Sequence, residues 1–212
     1  MRDTWAKTDD PRRALGLVLG AVLALALGAG TVLAAVPQPQ DPQPLDPQPG
    51  AGDLDPGLSV RYYRAFFRLI EEFDEWMADD EGEAGAPLPA LDYRVAGGAV
   101  LTGGVEDGVG AKITGLIRLD KPGTYSLLVQ SNDGFILDIG GVPVLEDPDV
   151  HGDRYSKIAK LTVERPGWYA LYLLYFERKG TATLELYWKQ PGDEAGAMAL
   201  VPAEAFAHLE AD

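Results

Sequence analysis

Residues 112–141, KITGLIRLDKPGTYSLLVQSNDGFILDIGG, limit the possible folds more than any other stretch of the chain. Three short runs alternate in polarity. Ile113, Ile117 and Leu119 fall on one face of the first, with Lys112, Thr114 and Arg118 on the other. In the second, Tyr125, Leu127 and Val129 alternate with Thr124, Ser126 and Gln130; in the third, Phe135, Leu137 and Ile139 share a face. Successive strand side chains point to opposite sides of a sheet, so a period of two marks half-buried strands and excludes helices. Lys121-Pro122-Gly123 supplies one turn, because proline presets φ and glycine accepts φ > 0, and Gly140-Gly141 starts another. Between the second and third runs lies the polar cluster Ser131-Asn132-Asp133-Gly134.

The rest of the chain extends this pattern. Lys157–Val163 reads as a further strand. Arg165-Pro166-Gly167-Trp168-Tyr169 repeats the earlier Pro-Gly turn ahead of WYALYLLYF, residues 168–176, which is apolar on both faces and predicts a central, covered strand. In residues 181–188, Ala182, Leu184, Leu186 and Trp188 face inward and Thr181, Thr183, Glu185 and Tyr187 outward. Leu58–Tyr63 alternates as a strand, and Phe66, Ile70, Phe73 and Met77 have helical spacing. Residues 79–90 read as an acidic loop and residues 97–110 as irregular. Near the end, Leu200–Pro202 reads as an edge strand and Ala203–Leu209 as a short helix. Many short strands between turn signals predict a mostly β protein, an antiparallel β-sandwich or barrel.

Ahead of this body lie three different segments. Residues 1–13 are polar and end in Arg12-Arg13, a cytoplasmic N-terminus. Residues 14–36 carry no charge and as a helix would span about 35 Å, enough to cross a bilayer. Two readings stay open: an uncleaved transmembrane anchor with the arginines held inside, or a signal peptide cleaved after Ala34. Either one exports the chain beyond residue 36 to the periplasm, the cell surface or the medium. Residues 37–56 form a Pro/Gln-rich linker, and its PQPQDPQPLDPQP portion predicts a semi-rigid polyproline stalk. The sandwich domain is assigned to residues 57–208.

Charge and residue usage narrow the function. The net charge is −15, and the first 36 residues are slightly positive, so the exported body is strongly acidic. Such a body repels phosphate backbones, which excludes nucleic acid as a partner. It suits solubility and also attracts cations. The absence of cysteine excludes disulfides, thiolate chemistry and cysteine-held zinc. There are two histidines, and no Ser/His/acid grouping or His-pair metal motif accompanies them. The chain therefore reads as a non-catalytic binding module.

GTYSLLVQSNDGFILDIGG resembles the hallmark of the PA14 domain family, a GTY strand, a Ser-Asp-Asp-Gly turn and a strand ending in Asp-Gly. HGDRYSK, the RPGWY turn, TATLELYWKQPG and VPAEAF resemble the remainder, so that the likeness covers residues 57–208. The resemblance implies a β-sandwich that is mostly non-catalytic and often binds carbohydrate. In flocculin-like members it further implies two adjacent aspartates holding a calcium ion that also meets sugar hydroxyls. Those positions are Asn132 and Asp133 here, so the first donor is an amide without charge, and Gly140 stands where the family usually has aspartate.

These residues define the candidate sites. Asn132, Asp133, Asp149 and His151 are the expected ligand-binding set, and Asn132, Asp133, Asp147 and Asp149 the expected ligands of a Ca2+ ion. The second acidic loop, DPDVHG, opens with the spacing of a calcium loop, but Ile158 stands where the closing bidentate Glu belongs. A purely structural reading stands beside this one, since Asn and Asp before Gly close tight turns through their own backbone. The expected partners are a glycan and, through residues 14–36, a membrane. The competing expectation is a structural or protein-interaction module of the cell envelope with no small ligand.

Overall fold

A computed structural model describes residues 41–209. Among them fourteen strands form two antiparallel sheets. In chain order they are β1 Leu54–Pro56, β2 Ser59–Arg64, β3 Glu83–Ala84, β4 Asp92–Val95, β5 Val109–Leu119, β6 Gly123–Asn132 and β7 Phe135–Ile139. Next come β8 Val142–Asp147, β9 Arg154–Tyr155, β10 Ala159–Val163, β11 Gly167–Glu177, β12 Ala182–Lys189, β13 Ala199–Leu200 and β14 Phe206–Leu209. The first sheet runs β1-β14-β5-β11-β7-β8, with β2 sharing an edge of β5 and β3 outside β2. The second runs β10-β6-β12-β13, with β4 also on β12 and β9 also on β6.

The period-two pattern fixes how the sheets meet. Ile113, Ile117 and Leu119 of β5 and Tyr169, Leu171, Leu173 and Tyr175 of β11 face Tyr125, Leu127 and Val129 of β6 and Leu184, Leu186 and Trp188 of β12 in one buried core. Both faces of β11 are covered over its second half. Leu174 and Phe176 point away from the sandwich core into a second cluster with Tyr63, Phe67, Ile70 and Phe73. Gly140 and Gly141, with φ of 62° and 79°, close the two-residue hairpin between β7 and β8, a turn that L side chains adopt only with strain.

Four expectations need correction. The helix is shorter than its spacing suggests: a 3-10 turn at Ile70–Glu72 leads into α1, Phe73–Asp79, and Phe66 is exposed while Phe67 takes the buried place. Phe67 does so by stacking on Phe73 with ring centroids 4.3 Å apart. The tail beyond Pro202 is one 3-10 turn, Ala203–Ala205, followed by β14 rather than a helix, because Phe206 and Ala207 pair with Ile117 and Leu116 of β5. Thr183 and Glu185 point outward from β12 yet are buried, since β12 is an interior strand between β6 and β4.

The fourth correction concerns the linker. Residues 41–49 do not stand free as a stalk; they lie along the domain. The N–H groups of Gln43 and Leu45 donate to the carbonyls of Gly140 and Trp168, both at 2.9 Å, and Pro44 bridges Tyr169. The prolines fall between the donating residues, the spacing that an added edge strand tolerates. Gln48 then grips the backbone of Trp168 from both sides, its Oε1 accepting the N–H at 2.7 Å and its Nε2 donating to the carbonyl at 3.1 Å. The expected membrane or signal segment, residues 14–36, lies outside the described residues. Among the described residues no helix is long and apolar enough to cross a membrane.

Candidate functional site

The polar cluster at the end of β6 sits where loops meet at one end of the sandwich. The expected surface turn at 131–134 is largely internal. β6 runs on through Ser131 and Asn132, and Ser131, Asn132 and Asp133 are all buried. The Asn132–Asp133 peptide bond is cis. Asp133 then joins β11 by donating its N–H to the carbonyl of Phe176 at 3.0 Å, and Phe176 N–H returns a bond to Gly134 at the same distance. Gly134 is required here, because a Cβ at this position would lie 2.8 Å from the carbonyl oxygen of Pro148 and 2.7 Å from the Phe176 ring.

The Asp133 carboxylate fastens two distant segments. Oδ1 accepts the N–H of His151 at 2.9 Å, and Oδ2 accepts that of Arg178 at 2.7 Å. Burial pushes its pKa above the ordinary aspartate value, while these two N–H bonds and the nearby His151 and Arg178 pull it back. Asn132 is equally committed. Its Nδ2 donates to Thr181 Oγ1 at 2.6 Å, and its carbonyl accepts the buried Tyr175 hydroxyl at 2.5 Å. Burial first, then the charges of Glu177 and Asp133, hold the Tyr175 phenol well above its ordinary value.

The second acidic loop divides its residues between inside and outside. Asp147 is held by Arg154, which donates from Nε to Oδ2 at 2.7 Å and from Nη2 to Oδ1. His151 Nε2 lies 3.3 Å from the same carboxylate, and His151 Nδ1 meets the carbonyl of Gly152 at 2.8 Å. Asp149 is exposed, and its backbone forms a bridge to Leu69. Asp153 reaches across to Arg94 at 3.3 Å, and Arg94 in turn holds Glu185 at 2.9 Å, which ties the loop to the outer face of the second sheet.

The structure thus brings Asp133 and His151 together, and His151 and Asp147, but not the four expected metal ligands. Among the described residues no three Asp, Glu or His side chains converge as a metal-ligand group. Both carboxylate oxygens of Asp133 are already taken by backbone N–H groups, and both of Asp147 by the Arg154 guanidinium. Calcium needs six to eight free oxygens, so this donor set does not fit the ion.

One residue of this end is absent from the sequence-derived set. Glu177 continues the inward parity of Tyr169, Leu171, Leu173 and Tyr175 on β11, and its carboxylate is fully buried with no hydrogen-bond partner on either oxygen among the described residues. The nearby Gly108 N–H bonds the carbonyl of Arg178 at 3.2 Å. Burial, then the charges of Asp107 and Asp133, raise the pKa of Glu177 to about 7. Counting the period of two onward from Tyr175 locates it. Of the aromatic residues, Tyr169, Tyr175 and Trp188 are core, whereas Trp168 and Tyr172 are partly exposed.

Residues 102–198 match the PA14 domain family, and the strands that frame Asp133 lie inside that match. The chain carries a PA14 domain. Solved PA14 domains share its fold. That of the MpAFP antifreeze protein is 18% identical with a TM-score of 0.59, covering 76% of this chain and 93% of the other. The PA14 sugar-binding domain of an RTX adhesin is 21% identical with a TM-score of 0.56, covering 72% and 98%. The A domain of epithelial adhesin 9 from Candida glabrata, solved with Galβ1-4GlcNAc, is 10% identical with a TM-score of 0.61, covering 82% and 97%. No curated protein matches the chain in sequence. At these identities the likeness establishes the architecture of the PA14 domain and leaves its ligand to be argued from the site.

Proposed function

We propose that this PA14 domain is a non-catalytic saccharide-binding module displayed outside the cytoplasm behind the apolar segment 14–36. The observation that carries this reading is the arrangement at the end of the sandwich. Asp133 fixes the 147–153 loop from beneath, and Asp149 stays exposed on the loop's outer side. A rigid loop with free carboxylate and backbone groups binds hydroxyls at little ordering cost. Support also comes from the shared fold with a domain described as sugar-binding and one solved with a disaccharide. The reading contains no chemical step.

A second reading has its own support. Asn132 Nδ2 and both Asp133 carboxylate oxygens are spent on internal bonds, as expected of a structural or protein-interaction module with no small ligand. A glycan array probed with the purified protein separates the two. Binding to a defined set of glycans, weakened at least about tenfold by Asp149→Ala, supports the saccharide reading. A blank array, together with a protein partner recovered at the same loop, supports the alternative.

A further inference from the structure

We propose that the saccharide lies in the groove between β8 and the β9–β10 segment, with Tyr155 as its stacking platform. The inference rests on the saccharide reading above and names its contact surface. The groove has a volume of ≈ 610 Å³, within the range of small-ligand sites, and runs from Leu145 and Asp147 on one wall to Arg154, Tyr155 and Ile158 on the other. It is the gap between two sheet edges, since among the described residues β8 pairs only with β7 and β10 only with β6. Asp147 joins it directly to the 147–153 loop.

The lining has the chemistry of a sugar contact. Tyr155 is 57% exposed, although it sits in a strand paired with β6, and Ile158 is exposed to the same extent. The Tyr155 ring does not swing freely, because Tyr187 meets it edge to face at a centroid distance of 6.0 Å. A fixed, exposed aromatic face offers apolar contact to the C–H side of a pyranose. Beside it, Arg154 is half exposed and commits Nε and Nη2 to Asp147, leaving Nη1 without a partner among the described residues. A guanidinium held in place by a carboxylate presents its remaining N–H groups to ligand hydroxyls in a fixed direction. Lys157 on one wall and Glu146 on the other add a further donor and acceptor.

The alternative occupant of an open sheet edge is an extended peptide. β8 is poorly made for one. Pro143 lacks an N–H, the register with β7 shifts between Leu137 and Asp138, and Glu146 and Asp147 place charge along the edge. Proline, bulges and charges are the features that discourage strand addition.

The test uses the full chain and three soluble probes, lactose, cellohexaose and chitohexaose, in calorimetry or affinity electrophoresis. Wild-type protein binds at least one. Tyr155→Ala weakens that binding at least about tenfold, Tyr155→Phe retains it, and Phe66→Ala, which removes an exposed ring on another face, leaves it unchanged. Loss in Asp149→Ala with Tyr155→Ala unaffected overturns the groove and leaves the saccharide reading standing. Wild-type protein that binds none of the probes and nothing on an array overturns both. Peptides from a random library that bind in a Tyr155-dependent manner, with no saccharide bound, assign the groove to protein partners and overturn the proposal.

Discussion

Glu177→Gln should make the PA14 domain more stable at alkaline pH and leave it nearly unchanged in acid. The Glu177 carboxylate is fully buried without a hydrogen-bond partner among the described residues, and its pKa is raised from 4.5 to about 7. A folded-state value above the unfolded one means that the folded protein keeps a proton which the unfolded chain releases. The stability linked to this proton is intact below pH 4.5 and is lost as pH rises through about 7. At 1.36 kcal/mol per pH unit, the loss at pH 8 amounts to about 3 kcal/mol. Gln is neutral throughout and has nothing to lose. Any cost of leaving its amide unpartnered is the same at every pH and cancels when one pH is compared with another. Urea denaturation of both proteins at pH 4, 6 and 8 measures the difference, which should grow by about 3 kcal/mol across the series. For a domain of this size, that corresponds to roughly 6–12 °C in Tm. Parallel pH profiles for the two proteins would refute the reasoning, since Glu177 would then be ionised or solvated in the folded state.

Asp133→Ala leaves the N–H groups of His151 and Arg178 without acceptors, and it should cost about 2–4 kcal/mol in urea denaturation; an unchanged midpoint would show that the clasp contributes nothing. Calcium in millimolar excess should not raise Tm, because the oxygens of Asp133 and Asp147 are already engaged, and a rise of several degrees that disappears in Asp133→Ala would reinstate the metal site. Gln48→Ala removes both side-chain bonds to the Trp168 backbone, so exchange of the Trp168 amide should quicken by about tenfold while overall stability falls by about 1 kcal/mol.

The strands are legible in the sequence because their information is local. In β5, β6, β7 and β12 the alternation of apolar residues alone assigns the inward face, and the Pro-Gly and Gly-Gly turns set where the chain reverses. The short helix is harder to read, because Phe66 and Met77 fit a 3.6-residue period while the stacking of Phe67 on Phe73 decides which ring is buried. The tail misleads because helix propensity near Ala203–Ala205 yields to the open edge of β5. The site is hardest to see. Asp133 acts on backbone N–H groups 18 and 45 residues away, and any residue type other than proline presents such a group, so no side-chain pattern announces it. Asn132-Asp133-Gly134 marks the right place but suggests a solvent-facing turn, whereas the neighbouring loops close over it. The proline-rich linker departs from a stalk for a related reason. Its alternating Gln43 and Leu45 donors matter only because free carbonyls at Gly140 and Trp168 lie alongside.

That this domain holds saccharides on a rigid surface, without a metal and without chemistry, is tested most directly by titrating isotope-labelled protein with lactose and cellohexaose in a calcium-free buffer and following its amide resonances. The account predicts saturable shifts confined to residues 144–159, with the sugar recovered intact. Shifts that require calcium and centre on Asn132 and Asp133, hydrolysis of the oligosaccharide, or no shifts with any sugar would contradict it.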